Sequence, residues 1–256
     1  MNFEQMVFEA KPFDGVFVFD VHGHIGAHQP FQLGGYDADQ VAATCRRMKV
    51  DGIVVSSLPS MVADWRHGND EVAQAVKKHS DVLFGYAAPN PYYEDCDIEP
   101  YLEMPGFCGI KVHGGFQNRA INDPCYFPYY ELADKKGVPV LFHAWQPCEV
   151  QAAADVAKRW PNVPIILGHS GFTARNAAVE AVKSCDNVFC DTAISATYDN
   201  TVELLVSKIG VDRVVYGSDL SFFDCIHTLG KIAMARLSDT DKEKIFGLNA
   251  KTIFHL

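Results

Sequence analysis

The sequence lacks several features that would directly assign a protein to a functional class. It contains no apolar run of the length that a membrane-spanning helix needs, and no basic stretch. Acidic side chains outnumber basic ones by 32 to 22, and the net charge of −10 argues against binding to nucleic acid or to an anionic membrane surface. The amino terminus has no basic segment followed by an apolar core, which argues against a signal peptide. We therefore expect a cytoplasmic protein without nucleic-acid or membrane partners.

Paired cysteines and a glycine-rich turn are missing as well. The eight cysteines are scattered, and no two of them form a C-x-x-C pair. In a chain of 256 residues without a secretory signal, this pattern indicates reduced thiols. No G-x-G-x-x-G turn follows the first apolar run, which counts against an open, doubly wound dinucleotide-binding sheet.

The sequence does contain a regular alternation of short apolar runs, branched or aromatic, with segments of helical spacing. The runs predict strands over residues 17–24, 52–56, 82–87, 107–113, 138–143, 164–169, 188–192 and 213–219. Helices are predicted over 37–49, 69–79, 97–104, 129–136, 149–160, 174–183, 202–209, 223–237, 241–246 and 249–254. Eight strands that alternate with helices predict an α/β fold of the (β/α)₈ (TIM) barrel type, with a doubly wound sheet as the alternative. We expect a single domain over residues 1–256, in which residues 1–15 form an N-terminal extension.

Polar residues end five of the predicted strands. They are His22 and His24 on the first strand, Lys111 and His113 on the fourth, His143 on the fifth, His169 on the sixth and Asp219 on the eighth. Active sites of (β/α)₈ barrels lie at the carboxyl ends of the strands, so we expect these side chains to meet at one rim. A single histidine of this kind could be structural. The whole set indicates a shared metal or catalytic site.

The first strand carries two histidines one residue apart. Side chains alternate along a strand, so Asp20, His22 and His24 are predicted to share one face, with Phe19 and Val21 on the other. Two imidazoles in this arrangement can bind one metal ion, although buried histidines that only form hydrogen bonds are common. Asp20 would lie one layer below His22 and support a ligand rather than bind the metal.

Several of these segments together resemble motifs of the amidohydrolase superfamily, and within it the amidohydrolase-2 family. The matching segments are FDVHGH at 19–24, GIKVH at 109–113, LFH at 141–143, LGHSG at 167–171, YGSD at 216–219 and GLNA at 247–250. The resemblance covers the chain from residue 16 onward. It implies a (β/α)₈ barrel that holds one divalent metal ion, usually zinc. His22, His24 and His143 would be ligands and Asp219 a ligand or close partner, while His169 would lie over the reacting groups.

The resemblance leads us to expect an enzyme that acts on a small molecule. The first expectation is metal-dependent hydrolysis of a small amide, lactone or ester by a metal-bound water. Asp219 would act as general base and then acid, and His169 would hold the developing oxyanion. The alternative within the family is a non-oxidative decarboxylase of an aromatic or muconate-type acid, which releases CO₂. A metal-dependent nuclease and a catalytically silent ligand-binding barrel are less favoured.

Substrate contacts are predicted on the loops and strand ends around this rim. The candidates are Lys111, His113, Arg119, Trp145, Phe116 and Tyr36. Arg119 could bind a carboxylate through two hydrogen bonds, whereas His113 could equally be a buried structural histidine. The short loops suggest a compact pocket, or one completed by a neighbouring subunit in a homo-oligomer.

Two further residues have alternative interpretations. Lys111 is interpreted as an unmodified substrate-binding or structural cation, and a carboxylated lysine that bridges two metal ions is the alternative. Asp191, at the end of the seventh strand, is either a helix cap or a hydrogen-bonding group at the rim.

Overall fold

Eight parallel strands lie side by side in the order of the sequence. The structure, a computed structural model, describes residues 3–9, 11–27, 37–193 and 200–256. The strands are β1 Phe19–Ile25, β2 Gly52–Ser57, β3 Leu83–Ala87, β4 Phe107–Val112, β5 Val140–His143, β6 Ile165–Gly168, β7 Val188–Asp191 and β8 Val214–Val215. Helices lie between successive strands, so the predicted (β/α)₈ barrel is confirmed.

Most helices fall close to their predicted positions, but the two over residues 3–8 and 58–62 were not predicted. The helices are α1 Phe3–Phe8, α2 Ala38–Met48, α3 Leu58–Val62, α4 Trp65–Lys78, α5 Glu99–Leu102, α6 Phe127–Lys136, α7 Pro147–Arg159, α8 Arg175–Ser184, α9 Thr201–Ile209, α10 Cys225–Ala233, α11 Asp239–Glu243 and α12 Asn249–Phe254. The helix α4 begins before its predicted start because the Asp64 side chain accepts a hydrogen bond from the amide of His67 and caps it. In the described part of the chain, no helix has the length and apolar character that crossing a membrane requires.

Apolar side chains pack in two layers, one inside the barrel and one between the strands and the helices. The inner layer contains Phe19, Val21, Val54, Tyr86, Leu141, Ile166 and Val215. The outer layer is larger and contains residues such as Val18, Ile53, Ile165 and Tyr216. Burial of these side chains is the main force that holds the helices against the barrel.

A β-bulge in β1 changes which residues face the barrel interior. Between Asp20 and Gly23 the strand advances three residues while β2 advances two, from Ile53 to Val55. Phe19 and Val21 therefore point into the barrel, although strict alternation predicted them on the face opposite His22. The prediction that Asp20 shares a face with His22 and His24 is wrong, because the inserted residue reverses the alternation between Asp20 and the histidines.

Three hydrogen bonds fix the backbone of the bulge. The Tyr86 hydroxyl donates to the Val21 carbonyl at 2.8 Å, and the Val21 amide donates to the Tyr216 carbonyl at 2.9 Å. On the outer side, Oδ1 of Asp20 accepts from the His22 amide at 3.0 Å. The same oxygen accepts from the amide of Ser218, also at 3.0 Å, so one carboxylate joins the bulge to the chain that follows β8.

We expect Tyr86→Phe to destabilise the protein through the bulge. The change keeps the buried ring but removes the hydroxyl that donates to the Val21 carbonyl. An unsatisfied buried carbonyl costs about 1–3 kcal/mol, so the free energy of unfolding measured in urea should fall by that amount. Tyr93→Phe is the matched control, because its hydroxyl donates to Ala63 from an exposed side chain. An equal effect of the two changes would contradict this account.

Candidate functional site

The seam that closes the barrel brings the first candidate residues together. β8 ends at Val215, and beyond it an isolated bridge joins Gly23 to Leu220. The Asp219 amide donates to the His22 carbonyl at 2.8 Å across this seam. Oδ1 of Asp219 consequently lies 3.1 Å from Nε2 of His24 and 3.5 Å from Nε2 of His22. Closure of the barrel thus brings together residues that are separated by nearly the whole length of the chain.

Local backbone conformation allows this close approach. Gly217 has no Cβ, and an added one would lie 3.0 Å from Cβ of His22 and 3.1 Å from Oδ2 of Asp191. Asp219 and His169 have φ angles of 61° and 65°, in the left-handed region that residues with a side chain seldom adopt. Strained conformations of this kind concentrate at functional sites.

His22, His24 and Asp219 form a buried cluster of possible metal ligands. One ligand atom from each residue lies within 4.8 Å of the others. Nδ1 of His22 is 2.7 Å from Oδ2 of Asp191, and Nδ1 of His24 is 3.0 Å from Oγ of Ser56. These partners fix the two rings through Nδ1, so that Nε2 of each ring faces Asp219.

The sequence left two roles open for Asp191, a helix cap and a hydrogen-bonding group at the rim. Its carboxylate is fully buried: Oδ2 contacts His22, and Oδ1 accepts from the amides of His169 at 2.7 Å and Ala193 at 3.1 Å. The structure shows a hydrogen-bonding group at the rim, and the ring of His22 is its side-chain partner. Its position at the carboxyl end of a strand was the available signal, but its partner depends on the packing across the barrel.

Lys111 lies beneath the same cluster. Its Nζ is 2.9 Å from Nε2 of His22, and the side chain is buried. Burial lowers the pKa of Lys111 to about 8, while the carboxylates of Asp219 and Asp191 oppose that shift. The predicted cation on β4 is therefore a neighbour of the histidines, placed to balance the two acidic groups.

His143 and His169 meet each other at the adjoining strand ends. Nε2 of His169 is 3.1 Å from Nδ1 of His143, and the ring of His169 lies 5.0 Å from that of His22. Among the described residues, the group that could hold a metal contains His22, His24 and Asp219 without His143. The role of His143 as a further ligand stays a prediction.

A cavity of about 510 Å³ opens above these side chains. It is lined by His24, His113, His143, His169 and Asp219, and by Leu58, Phe116, Trp145, Phe222 and Phe223. The His113 ring is stacked between Phe116, at a centroid distance of 3.7 Å, and His143, at 3.9 Å. The cavity thus combines polar groups on the barrel side with an aromatic wall.

Arg119 lies apart from this cavity. Its guanidinium lies over the Tyr92 ring at 4.8 Å, and one nitrogen is 3.4 Å from Asp123. Arg119 is not among the residues that line the cavity, so its contact with a substrate stays a prediction. Tyr36 lies outside the described residues.

Burial governs the protonation of the site. It lowers the pKa of His22, His24, His113, His143 and His169, and the charge of Lys111 adds to the effect. For His143 the pKa falls to about 3. The imidazoles are therefore neutral at neutral pH, which is the form that binds metal ions. Nitrogen and oxygen donors that converge in this form fit a divalent cation.

Comparison with known proteins places the chain in a family. The family model described as amidohydrolase, in its amidohydrolase-2 form, matches residues 19–256. The chain belongs to the amidohydrolase-2 family. The resemblance drawn from the sequence motifs is thereby confirmed.

Curated relatives of the chain are named as decarboxylases. The chain is 24% identical to 2-amino-3-carboxymuconate-6-semialdehyde decarboxylase of Dictyostelium discoideum, over 84% of this chain and 76% of the relative. It is 23% identical to gamma-resorcylate decarboxylase of Polaromonas sp. strain JS666, over 75% of this chain and 76% of the relative.

Solved structures share the fold. A 2,6-dihydroxybenzoate decarboxylase in complex with 2,6-dihydroxybenzoate superposes with a TM-score of 0.75 at 18% identity, covering 94% of this chain and 100% of the other. A 5-carboxyvanillate decarboxylase of Novosphingobium aromaticivorans, in complex with manganese, superposes with a TM-score of 0.74 at 15% identity, covering 94% and 97%.

These findings correct the expected reaction. The prediction of hydrolysis of an amide, lactone or ester is wrong, because the relatives are named as decarboxylases. The motifs led to this error for a chemical reason. A histidine and aspartate cluster that binds a metal ion can serve either reaction, and the choice depends on the groups that line the cavity.

We expect stability to fall as the pH is lowered below about 6.5. The five histidines have lowered pKa values, so between their folded values and the unfolded value of about 6.5 the unfolded chain binds the extra protons. Burial raises the pKa of Asp20 to about 7 and also raises that of Asp191, which acts in the opposite direction. Because the histidines outnumber these two acids, the free energy of unfolding should fall with falling pH. Each net proton bound by the unfolded chain lowers it by about 1.4 kcal/mol per pH unit.

The measurement is urea unfolding of chelator-treated protein between pH 7.5 and pH 5. His143→Gln should make the loss of stability with falling pH shallower, because it removes one of the buried imidazoles. His67→Ala, at an exposed position on α4, should leave the dependence unchanged. Stability that stays constant or rises towards pH 5 would contradict this account.

Proposed function

We propose that this protein is a metal-dependent, non-oxidative decarboxylase of an aromatic or muconate-type acid. The observation that carries the proposal is the aromatic cavity directly above the cluster of His22, His24 and Asp219. A flat apolar acid matches such a cavity, since its ring or conjugated chain can pack on aromatic side chains while its carboxylate lies at the polar end. The names of the curated relatives support the same reaction.

A divalent cation is the cofactor that the cluster fits. His22, His24 and Asp219 would hold it, with His143 as the predicted further ligand on β5. The Nε2 lone pair of His22 that now faces Lys111 is the one that would bind the cation. Bound there, the cation supplies positive charge for substrate oxygens and for the negative charge that develops as the carbon–carbon bond breaks. Zinc is the ion expected from the sequence resemblance, and manganese is bound in three of the similar structures.

The protein's own groups would bind and orient the acid. Phe116, Phe222 and Phe223 line the cavity and would pack against the apolar body of the substrate. They also keep water away from the polar end, which strengthens every charge interaction there. Lys111, buried below the cluster, adds attraction for a carboxylate.

Proton transfer completes the reaction. When the bond to the carboxylate breaks and CO₂ leaves, the carbon that carried it must accept a proton. Asp219 borders the cavity and is assigned to take this proton from solvent and pass it to the carbon, in line with its predicted role as an acid and base. His169, which lines the cavity beside His143, is assigned to pack against the carboxylate and keep it in place.

The decisive experiment measures CO₂ release by manganese-loaded protein. We expect wild type to release CO₂ from at least one of 2,6-dihydroxybenzoate, 5-carboxyvanillate and 2-amino-3-carboxymuconate-6-semialdehyde. His22→Ala should lower the rate by at least about 100-fold, since loss even of a residue behind a metal ligand costs up to that much. His67→Ala is the matched control and should retain the wild-type rate. Turnover of esters or lactones without CO₂ release from any acid would contradict the proposal.

Asp191→Asn should weaken metal binding without changing a ligand. The carboxylate accepts from Nδ1 of His22, whereas an amide NH₂ turned towards Nδ1 would favour the tautomer that carries its proton on Nε2. We expect the Kd for Mn²⁺, followed by the EPR signal of free Mn²⁺, to rise about 10- to 100-fold. Asp155→Asn, exposed on α7, is the matched control. An unchanged Kd would show that Asp191 does not orient the ligand.

A further inference from the structure

The ammonium of Lys111 lies against the ring nitrogen through which His22 would bind a metal ion. Nζ of Lys111 is 2.9 Å from Nε2 of His22, and both side chains are buried. Because an ammonium can only donate, Nε2 accepts this hydrogen bond through its lone pair. The ring proton of His22 is therefore on Nδ1, which donates to Oδ2 of Asp191 at 2.7 Å. The two contacts together fix one tautomer of the ring.

This tautomer of His22 is the one that can bind a metal ion. A neutral imidazole binds a cation through one nitrogen while its other nitrogen donates to a carboxylate or carbonyl, which fixes the ring. Nε2 of His22 also lies 3.5 Å from Oδ1 of Asp219, so it faces the other candidate ligands. One lone pair accepts either an N–H group or a cation. Lys111 and the cation therefore require the same atom of His22.

Lys111 has further neighbours that can keep it in the barrel without His22. Among the described residues, His22 is its one hydrogen-bond partner, although an ammonium has three N–H groups. The carboxylates of Asp219 and Asp191 favour its positive charge. A buried ammonium is costly unless it is paired. The two carboxylates can supply that pairing when Nε2 of His22 binds a cation, so Lys111 does not have to leave the site.

We propose that Lys111 is a positioning residue that keeps the metal-binding lone pair of His22 in place and competes with the cation for it. This inference rests on the cation site of the proposed function and names a residue that sets the affinity of that site. The ring of His22 does not have to rotate or change tautomer when a cation binds, because Lys111 has already selected both. The affinity is lower than the ligands alone would give, because the hydrogen bond from Lys111 must break.

Lys111→Met tests the competition through metal affinity. The change keeps a long, unbranched side chain but removes the donor to His22. Because a hydrogen bond from a charged group no longer has to break, the Kd for Mn²⁺ should fall by about tenfold or more. The EPR signal of free Mn²⁺ measures this Kd. An unchanged or higher Kd would overturn the proposal.

Lys231→Met separates this contact from a general effect of charge. Lys231 is a partly buried lysine whose charge also acts on Asp191, but its Nζ donates to the Thr192 carbonyl at 2.9 Å. The change removes a positive charge near the site without removing a donor to His22. We expect a Kd for Mn²⁺ close to that of wild type. A fall equal to that in Lys111→Met would assign the effect to charge alone, and the proposal would be wrong.

Nuclear magnetic resonance of the side-chain nitrogens of His22 and Lys111 reports the contact itself. In chelator-treated protein with ¹⁵N-labelled histidine and lysine, Nε2 of His22 should be unprotonated, and its signal should move in Lys111→Met because it loses its donor. His22→Gln identifies this signal. Addition of diamagnetic Zn²⁺ to wild type should change the signals of His22 Nε2 and Lys111 Nζ together.

Either of two spectroscopic results would refute the contact. One is a His22 Nε2 signal that is the same in wild type and Lys111→Met, and the other is a Lys111 Nζ signal that Zn²⁺ leaves unchanged. The zinc titration uses wild-type protein, so it stays decisive if circular dichroism shows that Lys111→Met is misfolded.

The outcomes distinguish this inference from the proposed function, because none of these measurements depends on turnover. If the Kd falls in Lys111→Met alone and no acid loses CO₂, the decarboxylase proposal fails and the inference stands. If an acid loses CO₂ and the Kd is unchanged, the inference alone fails. If neither wild type nor Lys111→Met binds Mn²⁺ or Zn²⁺, the cation site is wrong and both fail.

Discussion

The hydrogen bonds that join β1 to the chain after β8 are the constraint on which the rest of the site depends. The Val21 amide donates to Tyr216, and the Asp219 amide donates to His22. Because β8 contains two residues, these bonds and the shared Oδ1 of Asp20 close the barrel where a longer strand ladder would otherwise do so. Because the candidate metal ligands lie on both sides of this seam, closure of the barrel also brings the site together.

The bulge in β1 has a functional consequence. In a regular strand, either Val21 or His22 would face the helices. Because of the inserted residue, the Val21 side chain packs in the barrel core while the side chain of His22, the next residue, points to the candidate site. Bulges next to active sites re-aim side chains in this way. The cost is a disrupted ladder, which the Tyr86 hydroxyl partly offsets by bonding the Val21 carbonyl.

Polar groups at the mouth are buried together, which makes them interdependent. Asp191 and Asp219 carry acidic groups, Lys111 carries a basic one, and the surrounding imidazoles are kept neutral by burial. A buried charge is tolerated only when it is paired or hydrogen-bonded. The same low-polarity surroundings make the cluster costly for folding and would strengthen the effect of its charges on the acid that we propose as substrate. Stability and activity therefore depend on the same contacts.

The sequence alone determined the barrel, most helix positions and the rim on which the polar residues lie. These features follow from local apolar periodicity and from the rule that barrel sites form at the carboxyl ends of strands. It also indicated His22, His24 and Asp219 as neighbours, through the resemblance of their motifs. The reaction was not determined, since a metal-binding motif serves hydrolysis and decarboxylation alike.

Only the tertiary structure decided the orientation of Asp20, the partner of Asp191 and the distance of Arg119 from the cavity. One inserted residue in β1 reverses the alternation of side chains along the strand, and no local sequence pattern indicates this insertion. Contacts across the barrel depend on the register of all eight strands and on how the last meets the first. That information belongs to the closed sheet and is absent from any single segment of the chain.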